Sequence, residues 1–544
     1  MKKQIDCFLI GPNESKIDTY EMMNNKTEDS YSPAYKDLLL NTICYQKIRY
    51  RAPEIIKKLI YKNSNKQKIT GSFSINSFLS AAIAQIASSL EKNGLTFDYI
   101  NSFQHEKSIL AKKLQSINIL TIAVTTTLYI SVHPILEIIS FIRKYNNSVK
   151  IIVGGPFILS QNLYYKESTL RSLYKYIGAD FYIISRQGED ILVKIIKAIK
   201  NNKSFYNIHN ISYKNKTNYI FNDFLKEKTK LSRNLTNWKL FQFRLNKFIS
   251  IRTAVSCPFS CSFCEDPVRL GAYKTLPIED IKYNLNQISK IKSVESIRFI
   301  DDTFNVPRSR FKKILKMMIK EKYNFKWHSF LRCQYIDNEV VELMKDSGCE
   351  GVYLGIESGN TNILQMMNKK VNINDLYRGV ELLNKYEIFS IASFIIGFPG
   401  ETESSINDTI DFIEKSKPTF YILHLWFCSS LVPIWKDRIK YNISYSGKHW
   451  SHNTMNSFIA LEWIDKMFML IKNSIRTPFH FDDIIYLLHQ GMSINQVKNF
   501  CINFNSIVKN QLNGNKHKNI MSNNIHNLKK SITNLNLNAS YKFH

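Results

Sequence analysis

The sequence predicts an α/β protein. It has a doubly wound sheet at the amino end, a partial (βα)6 barrel after it and a helical region at the carboxyl end. Three observations carry that expectation. Strand-like and helix-like segments alternate through the first ~210 residues, the alternation resumes from Phe248, and past residue ~440 the pattern turns helical. The expected boundaries are a domain at 1–210 with an amino-terminal extension, a linker at 211–247, a barrel at 248–440 and a helical region at 441–544 with a basic tail.

In order, the opening segment DCFLIGPNES reads as a first strand, too briefly apolar before Gly11-Pro12 for a secretory signal. A strand is expected at 68–75, then a helix at 77–94 ending on Gly94 as a C-terminal cap. Strands at 97–103, 119–129, 149–155 and 179–185 alternate with helices near 105–115, 132–145, 163–176 and 189–200. The most apolar long run, 119–142, contains three successive threonines, His133-Pro134 and Glu137. It therefore divides into a strand and a helix, where a membrane span would need about 20 mostly apolar residues in one piece. The polar stretch 204–247 reads as a connector with some short strands. Barrel strands are expected at 250–256, 296–301, 327–333, 351–358, 390–398 and 419–427, with no sign of a seventh βα unit. Helices follow at 460–475 and 482–491, and no Asp or Glu occurs after Asp483.

With 44% hydrophobic and 22% charged residues, the 544-residue chain has the balance of a folded soluble protein. Its 74 Lys and Arg against 45 Asp and Glu give a net charge of +29, which invites a nucleic-acid reading. Lysine is, however, spread evenly among Ile and Asn, so neither nucleic acid nor membrane is expected as a partner, and a cytoplasmic location is. Nine cysteines are too sparse for a disulfide scaffold.

In a doubly wound sheet the ligand sits beyond the carboxyl ends of the strands. Three such ends stand out: Thr125-Thr126-Thr127 with its hydroxyls, Gly154-Gly155-Pro156, and Gly188-Glu189 at a helix start. Glycine there would let the main chain approach a bulky polar ligand closely, although ordinary strand-to-helix turns also fit.

The strongest signal is Cys257-Pro-Phe-Ser-Cys261-Ser-Phe-Cys264, directly after a predicted strand. Three thiolates within eight residues point to a common metal centre, and three ligands on an iron–sulfur cubane leave one iron open. A structural zinc site completed by Cys333, Cys349 or a histidine stays open at this point.

This run, with Phe263 as its aromatic member, resembles the signature of radical S-adenosylmethionine (SAM) enzymes. The resemblance implies a [4Fe–4S] cluster on Cys257, Cys261 and Cys264, with SAM chelating the fourth iron. It also implies SAM contacts from Phe263, from Asp301 and Asp302 in FIDDTF, from Arg332 and Glu357, and from Gly397 in IGFPGE. Asp301 and Asp302 as a helix N-cap, and Arg332 in an ordinary salt bridge, are the plainer readings of those residues. GGP at 154–156 and GADFYIISRQGED at 178–190 are similar to the Rossmann-like cobalamin-binding domain of one branch of the family. That similarity implies cobalamin contacts from Thr125, Thr126, Thr127, Gly154, Gly155, Pro156, Gly188 and Glu189. The Asp-x-His-x-x-Gly loop that supplies an axial histidine elsewhere is absent. Cobalamin would then bind without one, or the domain has lost it.

DCFLIGPNES, SPAYKDLLLN, FIDDTFNVP and GKHWSHNTM together resemble the P-methyltransferases of phosphinothricin-type biosynthesis. The implied activity is a cobalamin-dependent (class B) radical SAM methyltransferase. It would act on an unactivated carbon or phosphinate phosphorus through methylcobalamin and a 5′-deoxyadenosyl radical. Its substrate would be a small molecule or a peptide of natural-product type, and its electron donor a flavodoxin or ferredoxin. A cobalamin-associated radical SAM enzyme catalysing cyclisation or rearrangement without methyl transfer is the alternative, and a metal-stabilised binding protein the alternative of another class. A methylthiotransferase is disfavoured, because only Cys7 and Cys44 precede Cys257. No catalytic side chain is assigned.

Overall fold

The computed structural model describes residues 4–13, 33–63, 78–127, 129–225, 230–243, 245–513, 518–533 and 535. The strand expected at 68–75 lies outside these residues, as does most of the basic tail. The chain gathers into two compact units. One comprises described residues within 1–20, 76–250 and 268–293, and the other those within 21–75, 251–267 and 294–544.

Seven strands form the sheet of the first unit: β1 (Gln4–Ile10), β2 (Phe97–Ile100), β3 (Asn118–Thr125), β4 (Lys150–Gly154), β5 (Phe181–Ile183), β6 (Ile211–Asn215) and β7 (Asn218–Phe221). Their order is β2-β1-β3-β4-β5-β6-β7. The first five are mutually parallel, with Cys7 of β1 between Phe97 and Thr121. Phe8, Ile10, Ile122, Val124, Ile151 and Val153 form one core with Leu110, Ile135, Ile138, Ile158 and Leu170 from the covering helices. Helices Ala81–Lys92 and Glu189–Lys200 pack on β1 as well. Strands covered in this way have no solvent face to alternate with, hence the unbroken burial of Ile5–Ile10. The winding reverses between β1 and β3, which places the crevice at Gly11 and Thr125–Thr127.

Two expectations are corrected here. Residues 211–221, read as part of a linker, are the antiparallel β6–β7 hairpin that extends this sheet. Residues 163–176, read as one helix, are covered by two, Pro156–Tyr164 and Glu167–Ile177.

The second sheet orders β8 (Phe248–Ile251), β9 (Ser296–Phe299), β10 (Lys326–Leu331), β11 (Cys349–Glu357), β12 (Phe389–Ile396), β13 (Phe420–Leu425) and β14 (Ile475–Arg476) in sequence. From β9 onward each neighbour is parallel. Six of the seven strands were expected. The seventh, β14, is two residues long and carries no readable periodicity. Leu354 and Ile356 point to the covering helices, while Tyr353, Gly355 and Glu357 take the other face. The carboxyl-terminal region is helical as expected, at Ser457–Leu470, Phe481–His489, Ile494–Leu512 and Lys518–Ser531. Residues 33–63, expected with the amino-terminal domain, belong to this second unit. There the buried Arg476 donates to Leu40 O at 3.1 Å and Asn41 Oδ1 at 2.7 Å.

Candidate functional site

The cysteine loop leaves the carboxyl end of β8 through Ser256, whose φ of 67° turns the chain sharply. Residues beyond β11 then anchor it. Ser262 N–H and Oγ donate to the carbonyls of Met367 (2.9 Å) and Met366 (2.7 Å), and Asn368 Nδ2 donates to Ser260 O at 2.8 Å. Cys261 is buried, whereas Cys257 and Cys264 are half-buried. Cys257 Sγ lies 3.4 Å from Thr303 Oγ1, and burial pushes its thiol pKa up. Burial, with Asp266 adding to it, pushes Cys264 up to about 12.

Such thiols stay protonated unless a cation supplies compensating charge, and a bound iron centre is a cation of that kind. Among the described residues no three or more His, Cys, Asp or Glu side chains converge on a single-ion site. A cubane asks for something else, one thiolate on each of three irons. The spare cysteines do not complete a zinc site. Cys349 opens β11 at its amino end, nine residues at about 3.3 Å each from the carboxyl end. Cys333 Sγ is engaged with Leu376 O at 3.4 Å.

Among the described residues the third-strand arginine is in no salt bridge. Arg332 is 4% exposed and donates through Nη1 to Cys261 Sγ at 3.9 Å and through Nη2 to Lys369 O. Its guanidinium stacks over Phe259 at 3.8 Å. Lys369, which the sequence did not single out, is also buried. It pairs with Glu357 at 2.8 Å and lies 5.7 Å over the Phe263 ring. Glu357 holds a φ of 73°, where β11 bulges against β12. A non-glycine residue there stores strain, and such strain clusters at functional sites.

Asp301 and Asp302 separate. Asp301 is 1% exposed, and its Oδ1 accepts from Thr253 N–H (2.6 Å) and Ala254 N–H (2.9 Å). Its Oδ2 accepts from the Thr253 hydroxyl, which Arg310 also reaches. Asp301, expected as a SAM contact, is fastened to the turn that launches the cysteine loop. Asp302 is the exposed member of the pair. Neither caps a helix, since the next one, Arg308–Lys320, begins after Pro307.

Gly397 follows β12 with φ 92°, and a Cβ there would sit 2.3 Å from Trp450 Cη2. Its peptide is held on both sides. Glu401 Oε2 accepts its N–H at 2.5 Å, and His452 Nε2 lies 3.0 Å from its carbonyl. Burial raises Glu401 to about 8 and lowers the His452 pKa. Neither residue was singled out from the sequence, although the IGFPGE and GKHWSHNTM segments contain them.

In the first unit the three expected loops adjoin along the carboxyl edge of the sheet. Thr126 N–H donates to Gly154 O at 2.9 Å, and Gly154 pairs with Ile183. The glycines are also required by chain packing. A Cβ on Gly155, whose φ is 115°, would meet Thr126 Oγ1 at 2.9 Å. On Gly154 or Gly188 it would meet Ile183 at 3.1 and 3.0 Å. Pro156 starts a helix and Glu189, buried, starts another. Thr125 Oγ1 faces Ile10 O at 3.4 Å, while Thr127 is half-buried. Ile130, three residues after Thr127, is 83% exposed.

Residues 251–413 match the model of the radical SAM superfamily and form a radical SAM domain. An uncharacterized methyltransferase of Pyrococcus horikoshii is 26% identical over 280 residues, half of this chain and 59% of that one. Bacteriochlorophyllide d C-12(1)-methyltransferase of Chlorobaculum tepidum is 30% identical over 219 residues, 37% of this chain and 47% of that one. The chain thus spans about half the length of these curated relatives. Among solved structures, the cobalamin-dependent SAM radical enzyme OxsB, with aqua-cobalamin and SAM bound, is similar over 98% of this chain and 84% of its own. The TM-score is 0.59 and the identity 14%. The radical SAM methyltransferase TsrM of Kitasatospora setae, with cobalamin and a [4Fe–4S] cluster bound, covers 65% of this chain and 74% of its own at TM-score 0.54 and 16% identity. The chain therefore has the two-part α/β fold of these enzymes.

Proposed function

We propose that this chain, whose residues 251–413 form a radical SAM domain, is a cobalamin-dependent radical SAM methyltransferase. Its substrate would be a small molecule or peptide of natural-product type, methylated at an unactivated carbon or a phosphinate phosphorus. The observation that carries this reading is the Cys257–Cys264 loop at the carboxyl end of a barrel strand in a chain that also contains a separate doubly wound sheet.

Cys257, Cys261 and Cys264 would hold the cluster. Phe263, Asp302, Glu357 and Gly397 lie on that loop or at or just beyond the carboxyl ends of β9, β11 and β12, which makes them the candidates for SAM. Thr125–Thr127, Gly154–Pro156 and Gly188–Glu189 would shape the cobalamin crevice with hydroxyl and main-chain groups. When bound, these groups supply reductive SAM cleavage for hydrogen abstraction and a cobalt centre for methyl transfer. The chain's own part is positional. Asp301 fixes the turn before the loop, Ser262 and Asn368 fix its middle, and the Glu401–Gly397–His452 clamp fixes the end of β12. Electrons would come from a flavodoxin or ferredoxin. Among the described residues no helix is long and apolar enough to cross a membrane.

Anaerobic reconstitution tests the reading. About four irons and four sulfides per chain are expected, lost in Cys261→Ala, together with 5′-deoxyadenosine formation from SAM. One zinc per chain, or no cobalamin uptake by the wild-type protein when the cofactor is supplied, would overturn it.

A further inference from the structure

Arg332 poses a problem of charge. A guanidinium is always protonated, and a buried one needs an anionic partner. Among the described residues no carboxylate lies within ion-pair distance of it. Its remaining hydrogen bond goes to a neutral carbonyl, that of Lys369. The group beside it that can carry negative charge is Cys261 Sγ.

The arginine is held in that place from several sides. Asn305 grips its peptide through both polar atoms, at 3.0 Å from the N–H and 2.8 Å to the carbonyl. Phe259, from the cysteine loop itself, stacks on its guanidinium. Lys369, whose carbonyl it caps, brings a second buried cation that Glu357 offsets. One uncompensated positive charge therefore remains, directed at the sulfur of Cys261.

We infer that Arg332 is a positioning residue that sets the reduction potential of the cluster through an N–H···S bond to Cys261, and is not a carboxylate-binding residue. The inference rests on the reading that Cys257, Cys261 and Cys264 hold a [4Fe–4S] cluster. Adding an electron makes the cluster more negative. A fixed cation and a hydrogen-bond donor at one of its sulfurs favour that state and raise the potential. Lysine cannot reproduce both forked contacts and the stacking, so it substitutes only in part.

The test compares full-length wild type, Arg332→Lys and Arg332→Gln, each reconstituted anaerobically without SAM. Iron and sulfide are counted, and the midpoint potential is read by spectroelectrochemical titration. A wild-type count far from four irons removes the underlying reading and leaves the inference without an object. With a loaded wild type, the expected result is a potential shifted to more negative values in Arg332→Gln, with Arg332→Lys between. Equal potentials in the three proteins would overturn the inference. Should Arg332→Gln fail to fold or load, Arg332→Lys decides alone. A loaded cluster with a more negative potential supports the inference, and an unchanged potential, or a folded protein that takes up no iron, counts against it.

Discussion

Glu401 is fully buried, with Oε2 on the Gly397 N–H and no hydrogen-bond partner for Oε1 among the described residues. Burial raises it to about 8 against an ordinary 4.5, so between those values the folded chain keeps a proton that the unfolded chain has released. Its stabilising contribution is complete below about pH 4.5 and is lost as pH rises toward 8, by up to about 1.4 kcal/mol per pH unit. Glu401→Gln keeps an acceptor for Gly397 and removes the titration. The melting temperature of the wild type should therefore fall more steeply than that of the variant between pH 5 and 8. The buried histidines contribute equally to both proteins and cancel in the difference. Parallel curves would mean that Glu401 does not titrate in this range. At this scale the cysteines were legible because their spacing is itself the signal. Lys369 was not, since a lysine in a polar loop is ordinarily solvent-exposed and its burial depends on Glu357, 12 residues earlier.

Among elements, strands and helices were legible wherever apolar periodicity persisted. The prediction of a helix at 189–200 coincides with Glu189–Lys200, and Gly94 takes the left-handed φ of 69° expected just past a helix end. What was lost is the two-residue β14, which carries little periodicity, and the membership of the short polar strands β6 and β7 in the first sheet. The glycine at the β4 turn has a packing reason that the sequence did not show. Gly155 is needed because its φ is 115° and Thr126 occupies the space a side chain would take. Gly155→Ala should accordingly cost about 1–3 kcal/mol. The loss should appear in urea unfolding of the cofactor-free protein, before any ligand is added. If that variant unfolds like the wild type and only its cobalamin uptake falls, close approach to a ligand is the better account of this glycine.

For the whole molecule, fold class followed from the alternation of elements, but the grouping of segments did not. Residues 33–63 join the second unit and 268–293 the first, because packing partners distant in sequence leave no local trace. The separation of a radical SAM domain from a doubly wound sheet still constrains chemistry. A cyclisation or rearrangement would consume SAM only for hydrogen abstraction, whereas methyl transfer by the proposed route uses one SAM as methyl donor and another for hydrogen abstraction. With a true substrate, S-adenosylhomocysteine and 5′-deoxyadenosine should then accumulate in about equal amounts, about one of each per methylated product, because neither half-reaction completes without the other. The quantities are read by chromatography of single reaction mixtures over time. Product formed with 5′-deoxyadenosine but without S-adenosylhomocysteine would eliminate methyl transfer. It would leave the radical SAM domain in place and turn the reading to cyclisation or rearrangement.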